Sequence, residues 1–214
     1  MSEEQTVYSA DLAGVVVGET AISDVQGDTG LLSYRGIDIN ELIGVPYLHV
    51  VWLVLFGDWP NEQQRKHLVS FMCRHTRLTH SEIDLLQQVS RDLHPMLMLQ
   101  GLVPLLDLPQ EATLGMGMDA EHGLFLAAKI SALTAAHHRL GQCKAILPPT
   151  PGKLFHENFL TMFHGTVPSA EQVAMLNAAQ ILQMEHSFNA GTFAGRVCAS
   201  TLAPIQSSIS ASIG

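Results

Sequence analysis

The last quarter of the chain carries almost no charge, and this feature constrains the fold more than any other. Residues 158–214 contain only Glu171, Glu185 and Arg196 as charged side chains, whereas the whole chain has 11 Lys and Arg and 20 Asp and Glu. Apolar surface is driven out of water. We therefore expect this segment to be covered by the core, by a partner, or by further chain that completes a fold left incomplete at its C-terminus.

The charge balance and the cysteines exclude several classes of protein. A net charge of −9 argues against a nucleic-acid-binding surface or an anionic membrane surface. The densest apolar run, residues 50–56, is far shorter than the roughly 20 residues of a membrane-spanning helix. The acidic start predicts no signal or transit peptide. Cys73, Cys143 and Cys198 are widely spaced, which indicates free thiols and a reducing, cytoplasmic location.

The order of local signals predicts one β-hairpin followed by helices. Two short apolar runs, at residues 20–25 and 31–34, flank a turn that contains two glycines. This pattern is typical of a hairpin, here spanning about residues 20–35. Helical spacing of apolar residues recurs from about residue 40 onward. The sequence therefore predicts a mostly α, multi-helix fold with a small N-terminal β-hairpin, and no linker clearly divides it into domains.

Capping patterns predict where several helices begin and end. Pro60 suits the first turn of one helix, and Asp119 can cap a long helix that stops at Gly141. A capping-box pattern at residues 169–172 opens a helix that runs to about His186. The other expected boundaries are helix starts at Ser81 and His94-Pro95, a short helix over 154–164 ended by Gly165, and two small-residue segments broken near Pro204.

The eleven histidines first suggest metal or anion sites. His137 and His138 are adjacent, so on a helix they point about 100° apart and cannot share a metal as an i, i+4 pair would. No metal site is expected. A second group of histidines lies among basic residues, and we favour a solvated helix face over a small anion or nucleotide site. This basic group consists of Arg65, Lys66, His67, Arg74, His75, Arg77 and His80.

One segment of the apolar quarter has a different composition. Residues 184–196 place His186, Asn189, Thr192 and Arg196 where a long apolar helix is expected to end. An unsatisfied buried polar group costs about 1–3 kcal/mol, so these side chains need partners. The spacing leaves open a structural network or a binding site. An imidazole, an amide and a guanidinium would suit a carboxylate or ketone oxygen.

This segment resembles the His-Glu-x-Asn-Ala-Ser-Thr-Phe stretch of the citrate synthase family, which includes 2-methylcitrate synthases. Other stretches agree in order along the chain, from Asp11 to Gly214. Residues 30–39 resemble the family's Leu-x-Tyr-Arg-Gly-Tyr-Asp-Ile signature, which is quite specific. The remaining similarities are the opening at residues 12–23, the Gly-x-Leu-Pro step at 56–60, the His-Pro-Met helix start at 94–96 and the Asn-Phe-Leu-x-Met helix at 158–163.

The resemblance implies a fold, a reaction and site residues. The family is mostly α and dimeric, and residues 1–214 would be the N-terminal portion of its large domain. The reaction condenses an acyl-CoA, acetyl-CoA or propionyl-CoA, with oxaloacetate, and acyl-CoA is a co-substrate rather than a cofactor. His186 would bind oxaloacetate, with Asn189 beside it. The family's Gly-Pro-x-His-Gly histidine, its aspartate and most of its arginines would follow Gly214, so no catalytic residue is expected in this chain.

The sequence also departs from the family pattern, and alternatives stay open. Ser187 replaces the Glu after the histidine, and Gly191 replaces the Ser before the threonine. These changes affect the expected local hydrogen-bond network. The first reading is the N-terminal half of a citrate synthase-type enzyme, a homodimer or one paired with a complementary C-terminal half. The others are an inactive helical partner or dimerisation module, one subunit of a split enzyme, and a citryl-CoA lyase-type domain.

Overall fold

The computed structural model describes Val16 and residues 18–214, in which a small sheet precedes a series of helices. Expectations placed on residues 1–15, including the start of the family-like opening, lie outside the described residues. The strands are β1 (Ser23–Gln26), β2 (Leu31–Tyr34) and β3 (Ile37–Asp38). The helices are α1 (Ile39–Leu42), α2 (Tyr47–Phe56), α3 (Glu62–Thr76), α4 (His80–Gln88), α5 (Pro95–Leu102), α6 (Met118–Gly141), α7 (Phe155–His164), α8 (Ala170–Leu182), α9 (Ala190–Ser200) and α10 (Ile205–Ile213), with a 3-10 turn at Val103–Leu105 after α5.

The sheet has three antiparallel strands, one more than the predicted hairpin. β1 pairs with β2 from Ser23 opposite Tyr34, and β2 then pairs with β3. The connection between β2 and β3 is the dipeptide Arg35-Gly36, and both residues have positive φ, 51° and 79°. Two positive φ values in a two-residue loop suit the twist of a tight hairpin. The second hairpin was missed because an arginine rarely occupies that conformation.

Two predicted helix starts were wrong by a residue or two. Asn61 caps α3, because its side chain accepts a hydrogen bond from the N–H three residues later at 2.9 Å, and Pro60 lies just outside the helix. Thr79 caps α4 in the same way at 3.2 Å, so this helix begins before the predicted Ser81. Both caps also have the reciprocal side-chain bond of a capping box.

α6 begins two residues earlier than predicted, and α8 ends before its predicted end. Gly117 occupies the cap position of α6, so Asp119 lies inside the first turn, where its charge still favours the helix dipole. α8 stops because the Tyr34 hydroxyl inserts into its last turn. That hydroxyl donates to the Ile181 carbonyl at 2.8 Å and accepts from the Glu185 N–H at 3.2 Å.

Other predicted boundaries are confirmed. Ser169 accepts a hydrogen bond from the Gln172 N–H at 3.2 Å and closes the capping box of α8. Gly165 ends α7 in the left-handed conformation, at φ 84°. The last two helices meet at a break that contains Pro204, as expected from its missing N–H.

The core surrounds α6, whose small and large apolar residues are buried along much of its length. Helices α3, α5 and α7 pack against it. A second buried cluster lies between the sheet and helices α1, α2 and α8. Its members are Tyr34, Ile39, Leu42, Val50, Leu53 and Ile181. This second cluster joins the N-terminal sheet to the end of α8, the element that leads into the predicted site.

Several large apolar side chains of the nearly uncharged quarter lie on the surface. Val167 is 76% exposed, Met175 71%, Val197 52% and Leu202 93%. These side chains are spread over α8, α9 and the segments next to them, and each offers apolar area that an association would bury. None of the described helices combines the length and the hydropathy that crossing a membrane requires.

Candidate functional site

The two residues predicted to bind substrate lie on the turn between α8 and α9. Asn189 is the N-cap of α9, since its Oδ1 accepts a hydrogen bond from the Thr192 N–H at 2.7 Å. His186 lies three residues earlier, and both side chains are exposed. Asparagine is among the preferred N-cap residues because its side chain satisfies an otherwise unpaired N–H. Asn189 therefore has a structural role, capping α9, that does not depend on a ligand.

The structure brings His186 and Asn189 together. Their side chains meet with Asn189 Nδ2 3.3 Å from His186 Nε2. The amide nitrogen can only donate, so Nε2 of the ring accepts and the neutral imidazole carries its proton on Nδ1. The pair thus forms one exposed polar unit at the start of α9.

The other two residues of the predicted group make other contacts. Arg196 lies seven residues, about two helical turns, after Asn189, and its guanidinium carbon is 4.8 Å from the centre of the Phe188 ring. A cation over an aromatic face is an attractive arrangement. Thr192 contributes its backbone N–H to the Asn189 cap. Only two of the four predicted side chains therefore contact each other directly.

The turn is tied to the N-terminal sheet by residues that sequence reasoning missed. The Glu185 carboxylate accepts hydrogen bonds from the Ser187 N–H at 2.5 Å and from the Ser23 hydroxyl at 3.1 Å. Tyr34, which is fully buried, holds the other side of the turn. One signal could have pointed to Glu185, because it is one of three charged side chains in the last quarter of the chain.

The family departures at Gly191 and Ser187 have local explanations. A Cβ on Gly191 would lie 2.7 Å from the Ser212 carbonyl oxygen, and one on Gly195 would collide with the Ser212 hydroxyl. These glycines therefore let α9 and α10 approach closely. Ser187 has φ 76°, in the left-handed region, and its N–H is the one that Glu185 accepts.

The basic group splits into an exposed face and a half-buried histidine. His67 and His80 are exposed, as a solvated face predicts. His75 instead packs between Phe71 and Phe125, with ring-centre distances of 4.3 and 5.2 Å. Burial is the main cause that lowers the pKa of His75, and the nearby positive charges of Lys129 and Arg74 lower it further.

A cavity of about 750 Å³ opens beside this basic group. The cation that reaches it from α6, Lys129, already has partners: its Nζ lies 2.6 Å from a Glu82 carboxylate oxygen and donates to the Arg77 carbonyl at 2.9 Å. The Lys129 charge is therefore balanced by Glu82, whereas Arg74 and Arg77 line the same cavity without an ion pair among the described residues.

The adjacent histidines of α6 face different partners. His137 is buried, and its Nε2 lies 2.8 Å from the Leu93 carbonyl oxygen. The His138 ring stacks on Phe163 at 3.7 Å between centres. Within the described part of the chain, no three His, Cys, Asp or Glu side chains come close enough to hold a metal ion.

Comparison with known proteins places this chain in a family. A family model described as citrate synthase, C-terminal domain, matches residues 11–214. Citrate synthase 2 of Bacillus subtilis is 31% identical over 207 residues, which is 95% of this chain and 55% of that protein. The 2-methylcitrate synthase of Shewanella oneidensis is 31% identical over 216 residues, 100% of this chain and 57% of that protein. The solved citrate synthase of Pyrobaculum aerophilum matches with a TM-score of 0.86 at 27% identity, over 95% of this chain and 53% of that chain.

These comparisons confirm both the resemblance seen in the sequence and the predicted mostly helical fold. The chain spans about half the length of the curated relatives it matches. The match runs from residue 11 to residue 214 and includes the turn that carries His186 and Asn189. The family model, the relatives and the fold together show that the chain belongs to the citrate synthase family.

Proposed function

We propose that this chain supplies the oxaloacetate-contacting His186 turn of a citrate synthase-type acyltransferase. The reaction would remove a proton from the α-carbon of acetyl-CoA or propionyl-CoA and join that carbon to the ketone carbon of oxaloacetate, and water would then hydrolyse the thioester to release CoA. The observation that carries the proposal is the His186–Asn189 pair, with Nδ2 and Nε2 3.3 Å apart, in a chain matched almost end to end by citrate and 2-methylcitrate synthases.

The chemistry of the pair suits a ketone oxygen. Because Asn189 occupies His186 Nε2, the hydrogen on Nδ1 is the one that the neutral ring can offer to an outside acceptor. A donor placed where negative charge develops on the ketone oxygen stabilises the transition state more than the ground state. His186 is exposed, so a substrate can reach it from solvent.

The rest of the reaction needs groups that the resemblance puts after Gly214. A carboxylate base must remove a proton from the acyl methyl or methylene group, and arginines must hold the two carboxylates of oxaloacetate. We propose that residues 1–214 form the N-terminal portion of the large domain and act in a homodimer or with a complementary C-terminal half. No cofactor is required in this scheme, since the acyl-CoA is consumed.

The test follows CoA thiol release from acetyl-CoA and oxaloacetate, with the chain alone and with its complementary half. We expect turnover only in the completed protein. His186→Ala should then reduce kcat/KM about 10²- to 10³-fold, the usual loss when one such donor is removed. His67→Ala, an exposed histidine on α3, is the matched control and should stay near the parent rate.

Two results would count against the proposal. Turnover by the isolated chain would show that residues beyond Gly214 are not needed, and an unchanged rate in His186→Ala would remove this residue from the site. Repeating the assay with propionyl-CoA decides the substrate, since the acyl-CoA with the higher kcat/KM is the preferred one. Relatives of both kinds match this chain at 31% identity.

The exposed apolar side chains favour a second candidate, an inactive partner or dimerisation module, or one subunit of a split enzyme. Val197 and Leu202 offer apolar surface that an association would cover. Reading the genomic frame past codon 214 separates the candidates. A frame that continues into a Gly-Pro-x-His-Gly motif supports the single-chain enzyme, and an immediate stop supports the module or the split subunit.

We also propose a cytoplasmic location. All three cysteines are described, and each is a free thiol. Free thiols are typical of reducing compartments. Fractionation of the source cells would test this, and recovery of the protein outside the cytoplasm would contradict it.

A further inference from the structure

We propose that Glu185 is a positioning residue, whose side chain and backbone hold the His186 turn against the N-terminal sheet. The inference rests on the proposed function only in treating His186 as the substrate-binding residue. Everything else in it follows from contacts within the described chain.

The Glu185 carboxylate binds both its own turn and the sheet. Its Oε1 accepts a hydrogen bond from the Ser187 N–H at 2.5 Å and another from the Ser23 hydroxyl at 3.1 Å. Ser23 is the first residue of β1, 162 positions away in sequence. Hydrogen bonds to a charged acceptor are about twice as strong as those between neutral groups. A single carboxylate therefore joins the turn to a distant element.

Ser187 needs this carboxylate because its backbone is strained. Its φ of 76° lies in the left-handed region, where the Cβ comes too close to the following carbonyl oxygen. The Glu185 carboxylate accepts the N–H of this same residue, so the bond stabilises the conformation that the turn requires. Glycine would adopt the same φ without strain.

The backbone of Glu185 is held by a second group from the sheet. The Tyr34 hydroxyl accepts the Glu185 N–H at 3.2 Å and donates to the Ile181 carbonyl at 2.8 Å. In a continued helix those two groups would bond each other, four residues apart. The tyrosine thus ends α8 and fixes the point where the turn starts.

His186 itself has little packing of its own. Its ring is exposed and meets Asn189, and the Asn189 N–H donates to the Ser187 carbonyl at 3.1 Å. The direction of the imidazole therefore depends on the backbone on either side of it. That backbone is fixed at Glu185 before the histidine and at Ser187 after it.

The test compares labelled chains by NMR and hydrogen exchange. In Glu185→Gln we expect the Ser187 amide to exchange about tenfold faster or more, as the loss of a charge-assisted bond predicts, and the His186 ring and Asn189 amide signals to shift. Glu171→Gln, the same change on the exposed first turn of α8, should leave these signals as they are. Exchange of the α6 amides should not change in either variant.

A second substitution separates positioning from general stability. Ser187→Gly, added to Glu185→Gln, should return the His186 and Asn189 signals toward those of the parent, because glycine no longer needs the carboxylate to hold a positive φ. If Glu185→Gln fails to fold, Ser23→Ala is used instead, and it should move the same signals by less in the same direction.

Each outcome decides the inference. Equal spectra of the turn in Glu185→Gln and Glu171→Gln, no rescue by Ser187→Gly, or no change in Ser23→Ala when that variant is needed would overturn it. Adding oxaloacetate to the completed parent protein addresses the proposed function separately. If the His186 signals do not respond, the binding role of His186 is overturned, while the variant comparison still decides the role of Glu185.

Discussion

Glu121 holds the loop before α6 through a buried carboxylate. Its Oε2 accepts the Thr113 N–H at 2.6 Å, its Oε1 accepts the Leu114 N–H at 2.7 Å, and the residue is 1% exposed. Burial alone would raise the pKa of Glu121. The hydrogen bonds from the loop N–H groups outweigh burial and leave the pKa below its ordinary value. The carboxylate is therefore ionised at neutral pH and holds the N–H groups of Thr113, Leu114 and Met116.

This arrangement predicts an acid-sensitive stability. A carboxyl group with a lowered pKa in the folded state stabilises the protein above its unfolded pKa, about 4.3, and the stabilisation is lost as pH falls through the folded value. Glu121→Gln should reduce the free energy of unfolding at pH 7 by about 1–3 kcal/mol and flatten its decline in acid. Urea denaturation between neutral and acidic pH measures both.

The neighbouring Asp119→Asn is the matched control for this prediction, since Asp119 is exposed on the same helical turn. It should change stability at pH 7 by less than Glu121→Gln. The explanation fails if Glu121→Gln unfolds in acid with the same steepness as the parent chain, because the pH dependence would then come from other groups.

At the scale of elements, the contact between α9 and α10 depends on missing side chains. Gly191 and Gly195 face α10 on successive turns, and a Cβ on Gly191 would meet the Ser212 carbonyl oxygen at 2.7 Å. That oxygen belongs to the backbone, so it cannot rotate away as a side chain could. Small residues at such positions let two helix backbones come close together.

We predict that Gly191→Ala destabilises the chain by about 1–3 kcal/mol, the usual cost of forcing atoms into a packed contact. The matched control is Gly123→Ala in α6, where a Cβ would have no neighbour within 4 Å. That substitution should stabilise the helix by about 0.5–1 kcal/mol, because alanine is the better helix former. Thermal unfolding of both variants measures the difference, and a Gly191→Ala chain as stable as the parent would contradict the packing argument.

At the scale of the whole molecule, the apolar surface of the last quarter stays exposed in this chain. Val197 is 52% exposed and Leu202 93%, and residues 197–214 contain no charge that would keep neighbouring chains apart. Exposed apolar surface of this kind favours association, since burying it removes it from water. The chain spans about half the length of the curated relatives it matches.

The chain on its own should therefore self-associate. Multi-angle light scattering should give a mass well above the 23.2 kDa of one chain, and Val197→Lys should shift the distribution toward the monomer. Val167→Lys introduces the same charge at an exposed residue outside α9. Comparing the two variants tests whether the associating surface is confined to α9. A monodisperse, stable monomer of the parent chain would contradict this view of the surface.

Local patterns predicted much of the architecture and part of the site. The capping box of α8, the glycine that ends α7 and the break at Pro204 are each set by hydrogen bonds or dihedral limits within a few residues, so they could be recognised in advance. His186 and Asn189 were located in the same way, from polar side chains in an apolar segment and from the family motif. The end of α8 depended on the Tyr34 hydroxyl, a contact that no local pattern reveals.

The amino-acid sequence by itself determined the order of the elements, the family and the nearly uncharged quarter, because each of these depends on neighbours along the chain or on composition. Only the tertiary structure decided how the candidate site is held. Tyr34 and Ser23 meet the His186 turn from more than 140 positions away, and each contact exists only because the second core cluster packs the sheet onto α8. The physical reason is that a side-chain hydrogen bond acts over about 3 Å, so which distant residues can form one depends on how the whole chain packs.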